Sequence, residues 1–438
     1  MKRNLEMRLL SWKNNDNRKP LLIQGARQVG KTWLMKTFGK EYFKSVAYVN
    51  LETNKELKEA FEQNFDIERL LLAIQITSGV KVEKGKTLLI IDEIQESPFA
   101  ITSLKYFQEN APGYFVMAAG SLLGVVLHQQ VSFPVGKVDF LNLYPLDFEE
   151  FLVAKGEGAL ISLIQKNDWE LINTFKSKYI GLLKEYYFVG GMPEAVALYV
   201  QNEDLSEVRN IQKRILEAYQ QDFSKHAPIS IVPRIRTLWN AIPSQLAKEN
   251  RKFIYGQVKQ GARAKDFELA LAWLYDSGLI HRVNRVSKSG ISLKAYEDFN
   301  SFKLFILDVG LLGALTDLDA KTILEGNSLF EEFKGALTEQ YVLQQLLAKN
   351  MVPYYWSAEK SAGEIDFLVQ VNGQIYPIEV KAEENLKAKS LKVFTEKYKI
   401  PIAIRTSMSG YRREDWLVNI PLFAIGLVDF ENSFYQNL

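Results

Sequence analysis

The run Gly25-Ala26-Arg27-Gln28-Val29-Gly30-Lys31-Thr32 has the residue types and spacing of a phosphate-binding loop. Glycines so placed let successive backbone N–H groups turn inward around phosphate oxygens. Lys31 then reaches toward the β- and γ-phosphates, and the Thr32 hydroxyl suits Mg²⁺. Gly25, Ala26, Arg27, Gln28, Val29, Gly30, Lys31, Thr32 and the following Trp33 are therefore the expected contacts for ATP. Some sixty residues on, Thr87-Leu-Leu-Ile-Ile-Asp92-Glu93 is apolar until it ends in two carboxylates. Asp92 is placed to hold Mg²⁺ and Glu93 to polarise an attacking water, because ligands in open α/β sheets bind beyond the carboxyl ends of the strands. A third apolar run, Tyr114–Gly120, ends in Ser121, whose hydroxyl could sense the γ-phosphate or the lytic water.

A second constellation lies in the last quarter. Glu364-Ile-Asp366 opens one strand-like run and Glu379-Val-Lys381 closes another, with Asn372-Gly373 between them as a hairpin turn. Period-two geometry sets Glu379 and Lys381 on one face. Upstream, residues 332–349 read as a helix that carries Glu339 on the apolar stripe of Ala336, Leu343 and Leu346. Glu339, Asp366 and Glu379 could converge on Mg²⁺, with Asp366 and Glu379 as ligands. Lys381 would position water or stabilise charge on a scissile phosphate. The competing reading is a hairpin with one solvated charged face and a salt-bridged Glu339.

These residues need rigid elements to hold them. From Leu21 to about Phe151, strand-like runs (Leu21–Gln24, Ser45–Asn50, Leu88–Asp92, Phe115–Gly120, Val138–Leu143) alternate with helical segments such as Lys55–Phe65 and Ile67–Ser78. That alternation predicts a parallel sheet covered by helices. From about Ala159 to His226 the pattern is helical. Between Val232 and Leu312, helices precede two strand-like stretches, Gly278–Val286 and Ile291–Tyr296, joined by a turn at Ser287–Gly290; this order suits a winged helix. Arg263, Lys265, Arg282, Arg285 and Lys288 could form a DNA-facing patch there.

Composition narrows the classes. The chain has 438 residues and is 47% hydrophobic, enough for about three domains with buried cores. Its 54 basic and 52 acidic residues nearly cancel, so no global field favours nucleic acid or a membrane. With no cysteine and three histidines, disulfides, thiolate catalysis and zinc–thiolate sites are excluded. No apolar run approaches the roughly twenty residues of a membrane helix. The expectation is a cytoplasmic protein without a membrane partner.

Together these motifs resemble those of prokaryotic AAA-type ATPases whose P-loop core is joined to a C-terminal domain of uncharacterised function with a restriction-endonuclease-like PD-(D/E)xK core. The resemblance is carried by Gly25–Thr32, Leu89–Gln95, Ala119–Leu123, Leu143–Phe151, Gly190–Glu194, Phe302–Leu312 and Gly363–Lys381. It implies an α/β chain: an AAA-type P-loop ATPase core at 1–155, a helical lid at 156–230, a winged-helix-like domain at 231–325 and a nuclease-like domain at 326–438. Similar proteins often show Gly-Arg before the Leu-x-Pro-Leu-x-Phe segment, where this chain has Gly136-Lys137. A lysine lacks the bidentate fork, so Arg27, Arg214 and Arg236 remain candidates for an arginine finger. The expected activity is Mg²⁺-dependent ATP hydrolysis coupled to a nucleic-acid-related task, with DNA and a second copy of the chain as candidate partners. The alternatives are a nucleotide-regulated metal-dependent nuclease and a nucleotide-switched scaffold with little turnover.

Overall fold

Five short apolar runs build the first sheet: β1 Leu21–Gln24, β2 Ser45–Asn50, β3 Thr87–Asp92, β4 Phe115–Gly120 and β5 Asp139–Asn142. A computed structural model describes residues 1–126, 133–247, 252–325, 331–358, 363–384 and 388–430. In it all five strands run parallel in the order β2-β3-β4-β1-β5. β3 and β4 are buried along their whole length, as strands covered on both faces must be. That explains why their sequences are apolar without alternation. A core of Leu22, Val49, Leu89, Ile91, Leu104 and Phe107 packs one face against the helices Ile67–Ser78 and Pro98–Asn110. Parallel pairing puts Gln24, Asp92 and Gly120 at the carboxyl ends of neighbouring strands, so the three chemical motifs share one edge. Residues 2–144 form this compact unit together with the short turn Asp276–Leu279.

Residues 145–275 and 280–438 belong to the other unit. Its helices include Lys176–Val189, Pro193–Asn202, the long Leu205–His226, Val232–Leu246 and Ala264–Asp276. Its strands are β6 Ile280–Val286, β7 Glu297–Ile306, β8 Tyr354–Ser357, β9 Glu364–Val371, β10 Gln374–Val380, β11 Ala403–Ser407, β12 Arg412–Arg413 and β13 Leu417–Pro421. They form one mixed sheet in the order β12-β13-β11-β10-β9-β8-β6-β7. The β9–β10 hairpin turns through Asn372 at φ 46° and Gly373 at φ 79°, the two positive dihedrals that favour Asn-Gly.

Two expectations change here. The second strand of the middle hairpin is Glu297–Ile306, whereas Leu293–Tyr296 forms a 3₁₀ turn. Leu293 is buried and its N–H donates to Gln370 Oε1 at 3.0 Å, and the Ser287 N–H closes on the Tyr296 carbonyl at 2.9 Å, which holds this segment as a turn. In addition, β6 pairs with β8, so the hairpin continues into the C-terminal sheet and does not end as a free wing.

The segments Leu143–Phe151, Gly190–Glu194 and Phe302–Leu312 owe their residue types to a buried polar hub. The Asp308 carboxylate accepts from the Gly191 N–H (2.7 Å), the Leu311 N–H (3.0 Å) and Gln344 Nε2 (3.0 Å). Gln344 also donates to the Tyr186 hydroxyl at 2.9 Å, and that hydroxyl donates to the Leu146 carbonyl. Burial pushes the Asp308 carboxyl up, against the downward pull of these donors.

Candidate nucleotide site and C-terminal acidic cluster

The loop after β1 is shaped by dihedrals that only some residues tolerate. Gly25 has φ +147°, and a Cβ there would lie 2.2 Å from the Leu143 carbonyl oxygen. Gly30, at φ 95°, leads into the helix Lys31–Tyr42 and offers no side chain to cap it. The first-turn N–H groups are thus left to the loop, the arrangement that binds anions at helix N-termini. Lys31 is buried and folds back, donating to the carbonyls of Gly25 (2.8 Å) and Ala26 (2.7 Å). Burial lowers its ammonium to about 8; Glu93 and Asp92 oppose that shift and Arg27 adds to it. The cation is held by dipoles at a site built for phosphate.

The Thr32 hydroxyl donates to Asp92 Oδ2 at 2.6 Å, and the Tyr48 hydroxyl donates to the same oxygen at 3.1 Å. A hydroxyl and a carboxylate this close are the hard oxygen donors that Mg²⁺ takes while keeping several waters, so this donor set fits the ion. Burial, followed by the charge of Asp92, raises the Tyr48 phenol to about 12, keeping it a donor. Glu93 sits at φ 51°, a left-handed conformation uncommon for a non-glycine residue and concentrated at functional sites. Gln95 Nε2 donates to Glu93 Oε2, and a Cβ on Gly120 would stand 2.5 Å from Gln95 Oε1. Gln95 therefore bridges the end of β3 to the end of β4, where the buried Ser121 follows. Trp33 is 46% exposed. From the turn Asp276–Leu279, Gly278 comes so near the loop that a Cβ on it would be 3.3 Å from the Ala26 nitrogen.

In the other unit, the hairpin gathers Asp366, Glu379 and Lys381. Lys381 Nζ lies 2.7 Å from Glu379 Oε1, and Asp366 Oδ2 accepts the Val380 N–H at 2.7 Å. Burial raises the Glu379 carboxyl, with Lys381 pulling it down and Asp366 pushing it up. Glu339 is buried as its helical stripe predicts, on the helix Glu331–Ala348. The expected convergence of Glu339, Asp366 and Glu379 on Mg²⁺ is not found: among the described residues no group of three or more Asp, Glu or His side chains is gathered to hold a metal. Instead Glu339 Oε2 lies 3.7 Å from Lys303 Nζ, and Lys303 is also ion-paired with Glu364.

Several expected roles are thereby narrowed. Arg285 bonds Asp298 on β7 and Ser357 on β8, and Arg282 bonds Asn284 and the Phe299 carbonyl while lying over Phe302, so both guanidiniums have partners within the sheet that holds them. Lys288 lies over the Tyr296 ring. Arg214 pairs with Glu194, Arg236 bonds Ser224, and Lys137 pairs with Glu109 at 3.0 Å. Tyr48, Gln95, Lys303 and Glu364 were given no role by the sequence reading. Lys303 had a signal, a lone charge inside Phe302-Lys303-Leu304-Phe305-Ile306. Gln95 had none.

Residues 17–152 match the family described as AAA domain. The N-terminal unit carries an AAA-type P-loop ATPase fold. Residues 180–322 match a domain of unknown function, DUF8612, and residues 334–424 match another, DUF4143. Solved structures similar to the chain include the Walker-type ATPase PABY2304 of Pyrococcus abyssi, at 14% identity and TM-score 0.45, covering 72% of this chain and 95% of that one. The Aeropyrum pernix ORC1 protein in complex with DNA is 12% identical with TM-score 0.31, over 73% of this chain and 93% of its own. The Thermotoga maritima RuvB Holliday junction branch migration motor is 13% identical with TM-score 0.26, over 64% and 85%. No curated protein matches the sequence. Among the described residues no helix is long and apolar enough to cross a membrane.

Proposed function

We propose that the protein is a Mg²⁺-dependent ATPase whose turnover serves a nucleic-acid-related task of the C-terminal unit. The observation that carries this reading is the 2.6 Å contact between Thr32 and Asp92 beside the glycine-bounded loop, with Glu93 next to it in a strained conformation. Thr32 and Asp92 would hold Mg²⁺. Bound Mg-ATP would supply a γ-phosphorus made electrophilic by charge withdrawal. Lys31, released from the Gly25 and Ala26 carbonyls, would bind phosphate oxygens. Glu93 would accept the proton of the attacking water, and Ser121 would orient that water or the γ-phosphate from the end of β4.

A general base is worth about a hundredfold to ten-thousandfold in rate. Steady-state phosphate release should therefore fall by at least about a hundredfold in Glu93→Gln with ATP still bound, and Lys31→Ala should lose binding. A Glu93→Gln protein that binds and hydrolyses ATP at the wild-type rate would sink the assignment. The nucleic-acid link rests on Asp366, Glu379 and Lys381 sharing one face of the hairpin. Its test is ATP turnover with and without double- and single-stranded DNA; stimulation supports the coupling, and equal rates remove DNA as the partner.

A further inference from the structure

Lys303 is fully buried, in the middle of an apolar strand. A desolvated ammonium costs several kcal/mol unless charge and hydrogen bonds compensate it. Here the compensation is local: Glu364 ion-pairs with it, Glu339 Oε2 stands 3.7 Å away, and the Tyr355 ring centroid lies 5.1 Å from Nζ. Across the hairpin the same pattern recurs, with Lys381 on Glu379 and the Val380 N–H on Asp366. Glu339 and Glu364 are carboxylates, a donor type that suits a hard divalent ion, as are Asp366 and Glu379, but among the described residues no three of them are gathered at one point. Each already has a cation or a donor from this chain.

We propose that Lys303 is the resident cation of Glu339 and Glu364, its ammonium holding the charge that a divalent metal would otherwise supply to these two carboxylates. Glu339 and Glu364 therefore do not fit as ligands for Mg²⁺ or Mn²⁺ while Lys303 stands beside both. The inference is independent of ATP turnover, since it concerns residues of one unit and metal binding without nucleotide.

The test is thermal melting and calorimetric titration of the full chain with Mn²⁺, free of nucleotide and in an Asp92→Asn background that removes the phosphate-loop ligand. The starting protein should show no Mn²⁺-dependent change that Glu339→Gln alters. Lys303→Met should melt lower without metal, because the buried Glu339 and the part-exposed Glu364 lose their counter-charge, and should regain roughly 5 °C or more with millimolar Mn²⁺. That regain should vanish in Lys303→Met with Glu364→Gln. A Mn²⁺ response of the starting protein that Glu339→Gln abolishes overturns the proposal, as does a folded Lys303→Met protein that Mn²⁺ leaves unchanged. Should Lys303→Met fail to fold, comparing the starting protein with Glu339→Gln decides alone: a shared lack of response supports the proposal, and a response lost in Glu339→Gln refutes it.

Discussion

Raising the pH from about 7 to about 9 should weaken ATP binding roughly tenfold through Lys31 alone. Burial holds its ammonium at about 8 in the nucleotide-free protein, well below the ordinary 10.5. Only the protonated form binds phosphate well, so the free protein must take up a proton wherever Lys31 is neutral. With a midpoint at about 8, the protonated fraction falls from about nine-tenths at pH 7 to about one-tenth at pH 9, and apparent affinity falls with it. A lysine of ordinary basicity would change affinity by less than about 10% over that range. The assay is calorimetry with Mg-ATP in buffers of different ionisation enthalpy, which reads affinity and proton uptake together. Uptake near half a proton per ATP at about pH 8 is expected. Lys31→Ala should bind weakly and lose this pH dependence. A wild-type affinity flat across the range, with no proton uptake, would refute the reasoning that burial outweighs the dipoles and carboxylates around Lys31.

Other outcomes follow from single contacts. Without nucleotide, Lys31→Met should stabilise the N-terminal unit by about 1–3 kcal/mol at neutral pH in denaturant unfolding, because it removes a buried charge whose lowered pKa marks it as destabilising there. Gln95→Ala should lower kcat by roughly tenfold with ATP affinity unchanged, since it frees Glu93 and touches no expected phosphate contact; a change confined to affinity would contradict a positioning role. Gly25→Ala should abolish nucleotide binding, because its Cβ would meet the Leu143 carbonyl at 2.2 Å. Asp308→Ala should cost about 3–5 kcal/mol in chemical denaturation, leaving the Gly191 and Leu311 N–H groups and Gln344 without their shared acceptor.

The phosphate loop, the strand ending in Asp92 and the five-strand alternation were legible because each is a local pattern: a run of apolar residues, then the residue type that the strand edge requires. The Asn372-Gly373 turn was legible for the same reason. Ile291–Tyr296 was misread as a strand because its apolar spacing is too short to separate a strand from a turn, and what decides it is a bond that the Leu293 N–H donates to the distant Gln370. Gln95 was invisible because its role comes from Gly120, a neighbour only after β3 and β4 pair. Glu339 shows a harder limit. Helical periodicity placed it correctly in the core, but periodicity cannot say whether a metal or a lysine from another strand meets it there.

The two buried lysines separate what composition and motif could not. Lys31 is compensated at hydrogen-bonding distance by two backbone carbonyls, and its ammonium is weakened to about 8. Its charge balance is unfinished, which is the state a site needs if an anionic ligand is to supply the missing term. Lys303, equally enclosed, has two carboxylates of its own chain beside it. A ligand arriving there would have to displace an ion pair already formed. The same residue type in the same degree of burial thus argues for ligand binding in one unit and for structure in the other. Charge left uncompensated is the better guide to where this protein does its chemistry, and it points to the loop at Gly25–Thr32.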